Sequence, residues 1–131
     1  MPIASFSFGG ASENRFLPHN YLPNTVVYTG THDNDTTRGW FETLSDKERD
    51  YLERYLPGGV QDISWDLIRL AWMSVANFAL APLQDVLGLG NEARMNLPGR
   101  AAGNWVWRFT RDQLTDERIE RLAELTQLYQ R

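Results

Sequence analysis

His32, Asp33 and Asp35 place an imidazole and two carboxylates close together, immediately past the run Thr25-Val26-Val27-Tyr28-Thr29. That run is β-branched and aromatic, with Pro23-Asn24 before it and Gly30 after it, which is the composition of a strand. In parallel α/β architectures, ligands and catalytic groups gather beyond the carboxyl ends of strands, where loops vary while the sheet stays rigid. A His-Asp pair at that point is either a functional site or a loop hydrogen-bond pair. A metal site at His32, Asp33 and Asp35 is disfavoured, because strand alternation would send neighbours to opposite sides and the sequence offers no second ligand cluster.

Other residues with chemical potential lie further on. Gln84 and Asp85 follow the apolar run Phe78-Ala79-Leu80-Ala81-Pro82-Leu83, so they either face a substrate or tie strand ends together. Asp35-Thr36-Thr37 reads as turn chemistry. Asn96 precedes Leu97-Pro98-Gly99, an ordinary turn context, and Arg94 is most simply an ion-pair partner. Trp105 and Trp107 alternate as strand residues would, and core packing is favoured for them over a platform for sugar faces.

These residues need elements to position them. Residues 3–8 alternate apolar Ile3, Phe6 and Phe8 with Ser5 and Ser7 and read as a strand, followed by a long loop over residues 9–24. Ser45-Asp46-Lys47-Glu48 is a capping box that opens a helix running to about Leu56, burying Leu52, Tyr55 and Leu56 and stopping at Pro57-Gly58-Gly59. A second helix starts near Asp62 or Ser64. Its wide apolar face of Trp65, Leu67, Ile68, Leu70, Ala71, Trp72 and Val75 predicts deep burial. Residues 78–83 form the continuous apolar run of a central parallel strand. Thr115 caps a final helix with Ile119, Leu122, Leu125 and Leu128 at helical spacing. About three strands alternating with helices imply a parallel sheet, and three parallel strands cannot close.

Composition narrows the function classes. The 131 residues, 42% of them hydrophobic, can supply one core. A net charge of -4 gives no footprint for nucleic acid. There is no cysteine for disulfides or thiolate metal sites. No apolar run reaches membrane-spanning length, and Met1-Pro2-Ile3-Ala4 does not resemble a signal peptide, so a cytoplasmic protein with no membrane partner is expected.

The stretch Val26-Val27-Tyr28-Thr29-Gly30-Thr31-His32-Asp33-Asn34-Asp35-Thr36-Thr37-Arg38-Gly39-Trp40 resembles a motif of the 4-α-glucanotransferases (amylomaltases or disproportionating enzymes, glycoside hydrolase family 77). Pro18-His19-Asn20, the residues 82–90 and 91–99, and Asn104-Trp105-Val106-Trp107-Arg108 agree in order. The resemblance implies an α/β fold, a partial (β/α)8 TIM barrel of about the last three strands with their helices. Residues 1–131 would then be a carboxyl-terminal fragment of the catalytic domain, the family's chain being several times longer. It further implies transfer of α-1,4-glucan segments between maltooligosaccharides by a retaining mechanism, with no cofactor and no metal.

Retaining transfer needs a nucleophilic carboxylate at the anomeric carbon and a protonated carboxyl across the bond, around an oxocarbenium-like transition state. By resemblance, Asp33 matches the family's third acid, the transition-state stabiliser, and His32 donates to the same sugar. Gln84 and Asn96 are the further substrate-binding candidates. No residue matches the nucleophile or the acid/base, including Asp35 and Glu92, so the isolated chain is expected to be inactive. Open edges at residues 3–8 and 78–83 suggest a homo-oligomer, and the alternative function is a non-catalytic, self-associating barrel fragment. Asp33-Asn34-Asp35-Thr36-Thr37 also fits the Asp-x-Asp-x-Thr pattern of haloacid-dehalogenase-like phosphotransferases, a weaker match because the required downstream lysine could only be Lys47, on an exposed helix face.

Overall fold

The computed structural model describes residues 15–131. The strand expected over residues 3–8 lies outside them. Two short strands, β1 (Val26–Tyr28) and β2 (Phe78–Leu80), pair in parallel with Val26 opposite Phe78 and Tyr28 opposite Leu80. Between them run α1 (Thr37–Glu42), α2 (Asp46–Tyr55) and α3 (Ile63–Met73). After β2 come the single turn α4 (Leu83–Val86), 3-10 turns at Asn91–Ala93 and Arg111–Gln113, and α5 (Asp116–Leu128).

α3 is the spine of the packing. An apolar stripe covers most of its circumference, and a helix of that kind stabilises only when surrounded. Ile63, Leu67 and Leu70 pack with Leu17, Leu52 and Leu56, whereas Trp65 and Ile68 pack on another side with Val86 and Leu125. Ala71 joins Tyr21, Val27 and Ala76 beneath β1. The carboxyl end of α3 is held by Arg131, whose guanidinium donates to the carbonyls of Trp72 (2.6 Å), Ser74 (2.6 Å) and Ala76 (2.8 Å). Orphan carbonyls at a helix end are thereby satisfied.

Several expected elements are present. The Ser45 capping box forms with both bonds, Ser45 N to Glu48 Oε2 at 2.8 Å and Glu48 N to Ser45 Oγ at 3.3 Å. Donation to the Glu48 carboxylate from the Ser45 hydroxyl, at 2.7 Å, and then from the Ser45 amide holds that carboxyl below its ordinary pKa. Leu52 on α2 and Leu56 at its carboxyl-terminal cap are buried, and the chain then turns at Gly58 and Gly59, which take φ of +81° and +76°. Tyr55, expected to be buried there, is only half-buried, its hydroxyl lying 2.9 Å from His19 Nδ1.

Other expectations need correction. The apolar run at residues 78–83 forms a strand only over Phe78–Leu80, since Pro82 caps α4 instead of continuing it. It is not a buried central strand: Phe78 is 66% and Leu80 48% exposed, because β1 is its sole strand neighbour among the described residues. Val75 falls beyond the end of α3 and is 58% exposed. On α5, Leu125 is buried while Ile119 and Leu128 stand exposed, so that helix docks through a narrower stripe than its leucine spacing implies. Among the described residues, no helix is long and apolar enough to cross a membrane.

Candidate active site

The site begins with a buried carboxylate. Asp85, on α4, is 1% exposed and accepts three hydrogen bonds: Thr29 Oγ1 at 2.6 Å, Thr37 Oγ1 at 2.8 Å and Thr37 N at 2.9 Å. Thr29 follows β1, and Thr37 is the first residue of α1, whose amide has no partner within its own helix. One side chain therefore pins both ends of the loop over residues 30–36. Of the two readings open for Asp85, the tie between elements is the one observed. Burial pushes its carboxyl above the ordinary value of 3.8, against the lowering effect of the three donors, and the neighbouring charge of Asp35 pushes the same way as burial.

Within the loop, Asn34 Oδ1 accepts from Thr31 N (2.8 Å) and Thr31 Oγ1 (2.9 Å), tightening a turn that carries His32 and Asp33. Because the two residues sit in a turn and not in a strand, their side chains meet instead of diverging. His32 Nε2 lies 3.3 Å from Asp33 Oδ1, with the side chains 55% and 51% exposed. The same Asp33 oxygen accepts Asn96 Nδ2 at 2.7 Å. Arg94 is expected to be an ion-pair partner, but among the described residues it pairs with no carboxylate. Its Nη2 donates to the Asp33 carbonyl at 2.8 Å and its Nε to the Asn96 carbonyl at 2.9 Å, clamping together the two backbones whose side chains pair. The Asn96 amide completes the junction by donating to the His32 carbonyl at 3.1 Å.

Asp35 does more than form a turn. Its oxygens accept Thr36 N (2.8 Å) and Asn91 Nδ2 (2.9 Å), and a Cβ at Gly39 would run into its carboxylate. With both oxygens engaged and Lys47 exposed on α2, the phosphotransferase alternative has no structural support. Among the described residues, no group of three or more His, Cys, Asp or Glu is arranged to hold a metal.

Beside this junction opens a cavity of about 540 Å³, lined by Tyr28, His32, Gln84, Arg94, Met95 and Trp105 among others. Of the sequence candidates, His32 and Gln84 line it directly. Asp33 and Asn96 are outside the lining but are bonded to His32 and Arg94, which form part of it. Gln84 is 8% exposed and donates from Nε2 to the Ala93 carbonyl at 3.2 Å. Trp105 corrects the expectation of core packing. It is 54% exposed, its ring centroid is 5.1 Å from that of His32, and its φ is +60°. A side-chain-bearing residue in that left-handed region costs about 1–2 kcal/mol. Trp107, half-buried, stacks on Phe109 at 5.9 Å.

A strand-end loop that displays a carboxylate and an imidazole beside an open, partly apolar cavity lies where α/β folds commonly hold their ligands. A family model described as 4-alpha-glucanotransferase matches residues 1–115, and the chain belongs to that family. The 4-alpha-glucanotransferase of Synechocystis is 53% identical over all of this chain and 26% of its own length. That of Thermus thermophilus is 46% identical over 97% of this chain and 28% of its own length. Among solved structures, the amylomaltase from Streptococcus agalactiae in complex with acarbose superposes with a TM-score of 0.95 at 35% identity, covering all of this chain and 27% of that one. The chain thus spans about a quarter of the length of the relatives it matches.

Asp85 generates a pH prediction with a defined sign. A carboxyl whose pKa is higher folded than unfolded binds its proton more tightly in the folded state, so it favours folding below the unfolded value and loses that contribution as pH rises through the folded value. Asp85→Asn removes this titration. The urea midpoint of Asp85→Asn relative to the parent chain is therefore expected to improve as pH is raised from 3.8 through the elevated folded value. Parallel midpoint curves for the two proteins would contradict this account of Asp85.

Proposed function

We propose that this chain is the carboxyl-terminal part of a (β/α)8 catalytic barrel, supplying about its last three strands with their helices. The complete enzyme transfers α-1,4-glucan segments between maltooligosaccharides by a retaining mechanism. Asp33 is the carboxylate that stabilises the oxocarbenium-like transition state, and His32, Gln84 and Asn96 bind the sugar. The observation that carries this reading is the 2.7 Å bond from Asn96 Nδ2 to Asp33 Oδ1 on a carboxylate that stays 51% exposed. One oxygen is fixed by the protein, so the group is preorganised, and the other remains available to sugar hydroxyls. Membership of the 4-alpha-glucanotransferase family and the likeness to an amylomaltase in complex with acarbose support the same assignment. The chemistry is performed by carboxylates and needs no cofactor. In the complete enzyme, Asp33→Ala should lower kcat by roughly 100- to 1,000-fold, the loss typical of one preorganised electrostatic group. The 131-residue chain alone should release no glucose from maltotriose. Undiminished turnover by Asp33→Ala would reduce Asp33 to a loop residue, and glucose release by the isolated chain that disappears on Asp33→Ala would overturn the fragment reading.

The exposed edge at β2 supports a second proposal, for the chain in isolation. Phe78, Leu80 and Val75 are exposed to solvent, and a strand edge with no strand partner among the described residues favours association. A closed homo-oligomer hides such edges. Sedimentation velocity across the micromolar range should show a coefficient that rises with concentration, whereas a concentration-independent monomer would contradict self-association.

A further inference from the structure

Trp105 is an anomaly for a residue of its size. Trp65, the tryptophan of the core, is 5% exposed; Trp105 is 54% exposed and holds a φ of +60°. Neither the strained backbone nor the exposed ring is offset by packing in the interior. The loop around it is nevertheless firmly built. Trp105 N donates to the Met95 carbonyl at 2.8 Å, and Asn104 Oδ1 accepts Leu97 N at 3.0 Å while its Nδ2 donates to the Arg100 carbonyl at 2.8 Å. Arg108 Nη1 donates to the carbonyls of Trp105 (3.2 Å) and Trp107 (2.8 Å). Backbone conformations that cost energy and persist because their surroundings over-determine them cluster at ligand clamps.

We infer that Trp105 is a stacking platform in the cavity wall, receiving the apolar face of one glucosyl ring of the glucan chain while His32 beside it meets the ring's hydroxyls. The inference rests on the proposed glucan-transfer function and adds to it a residue that sets affinity for the chain. A pyranose presents C–H groups on its faces and hydroxyls around its rim. An indole adjoining an imidazole matches that division, with a flat apolar surface next to a polar hydrogen-bonding group. The indole lines the cavity together with Tyr28, Met95 and Leu80.

The test is steady-state kinetics of the complete enzyme on maltotriose and maltoheptaose, comparing Trp105→Phe, Trp105→Leu and Asp33→Ala with the parent. Trp105→Phe keeps a flat ring and should hold KM within about twofold. Trp105→Leu keeps bulk and hydrophobicity without the flat face and should raise KM by about five- to tenfold with kcat nearly unchanged. Asp33→Ala should instead lower kcat. If Trp105→Leu leaves KM unchanged while Asp33→Ala silences turnover, the platform is refuted and the functional assignment stands. If Trp105→Leu raises KM while Asp33→Ala turns over normally, the platform is supported and the role of Asp33 fails. A fall in kcat and thermal midpoint shared by Trp105→Phe and Trp105→Leu would mark a structural residue and refute the inference.

Discussion

The buried carboxylate of Asp85 is the constraint on which the site depends. Removing a carboxylate from water is costly unless donors replace the lost solvent, and here two threonine hydroxyls and one helix-terminal amide do so. The compensation is incomplete, since burial still pushes the carboxyl above its ordinary value. The same three bonds join the end of β1, the start of α1 and the turn of α4. A loop whose two ends are fixed has few conformations left, which is how a polar segment outside the core can hold His32 and Asp33 in register. Losing the Asp85 side chain would leave buried donors without acceptors, at about 1–3 kcal/mol each.

A second fastening acts from the side. The segments that meet at the site are far apart in the chain, Asp33 and Asn96 being separated by 63 positions. Arg94 joins them because its planar fork spans two carbonyls at once, which the single ammonium of a lysine would not reproduce. Asp35 and Asn91 repeat the arrangement a few residues away, where the missing side chain of Gly39 makes room for the Asp35 carboxylate. The open cavity is thus walled by loops that are short, cross-bonded and anchored to a buried group. Such a wall supports preorganised electrostatics better than long, unbraced loops would.

Features encoded locally were legible in the sequence. The β-branched run of β1, the Ser45 capping box, the apolar girth of α3 and the Thr115 cap each follow from neighbouring residues, and each is present. Features that depend on distant partners were not. α1 escaped notice because six residues are too few to display a helical period, and its cap, Thr36, lay in a stretch read as a turn. The apolar run at Phe78 says that a strand wants cover, not whether cover is present, so it reads as a central strand although an open edge is expected at the same residues. Arg94 was taken for an ion-pair partner because charge is visible in sequence and carbonyl geometry is not. The threonines at both ends of the loop, with an aspartate just after the next strand, were the one available hint of the Asp85 junction. Trp105 was misread because alternation with Trp107 implied a strand, whereas its positive φ breaks that alternation.

The central claim is that Asp85 holds the loop over residues 30–36 in place, and amide hydrogen exchange of Thr37 tests it most directly. The Thr37 amide donates to Asp85 Oδ1 and to no other acceptor in the described structure, so its protection reports that bond. The account predicts that Asp85→Ala brings Thr37 exchange close to the rate of an open loop, while the amides of α3 around Leu67 and Ile68 keep their protection. Unchanged exchange at Thr37, or an equal loss of protection at Thr37 and throughout α3, would contradict it.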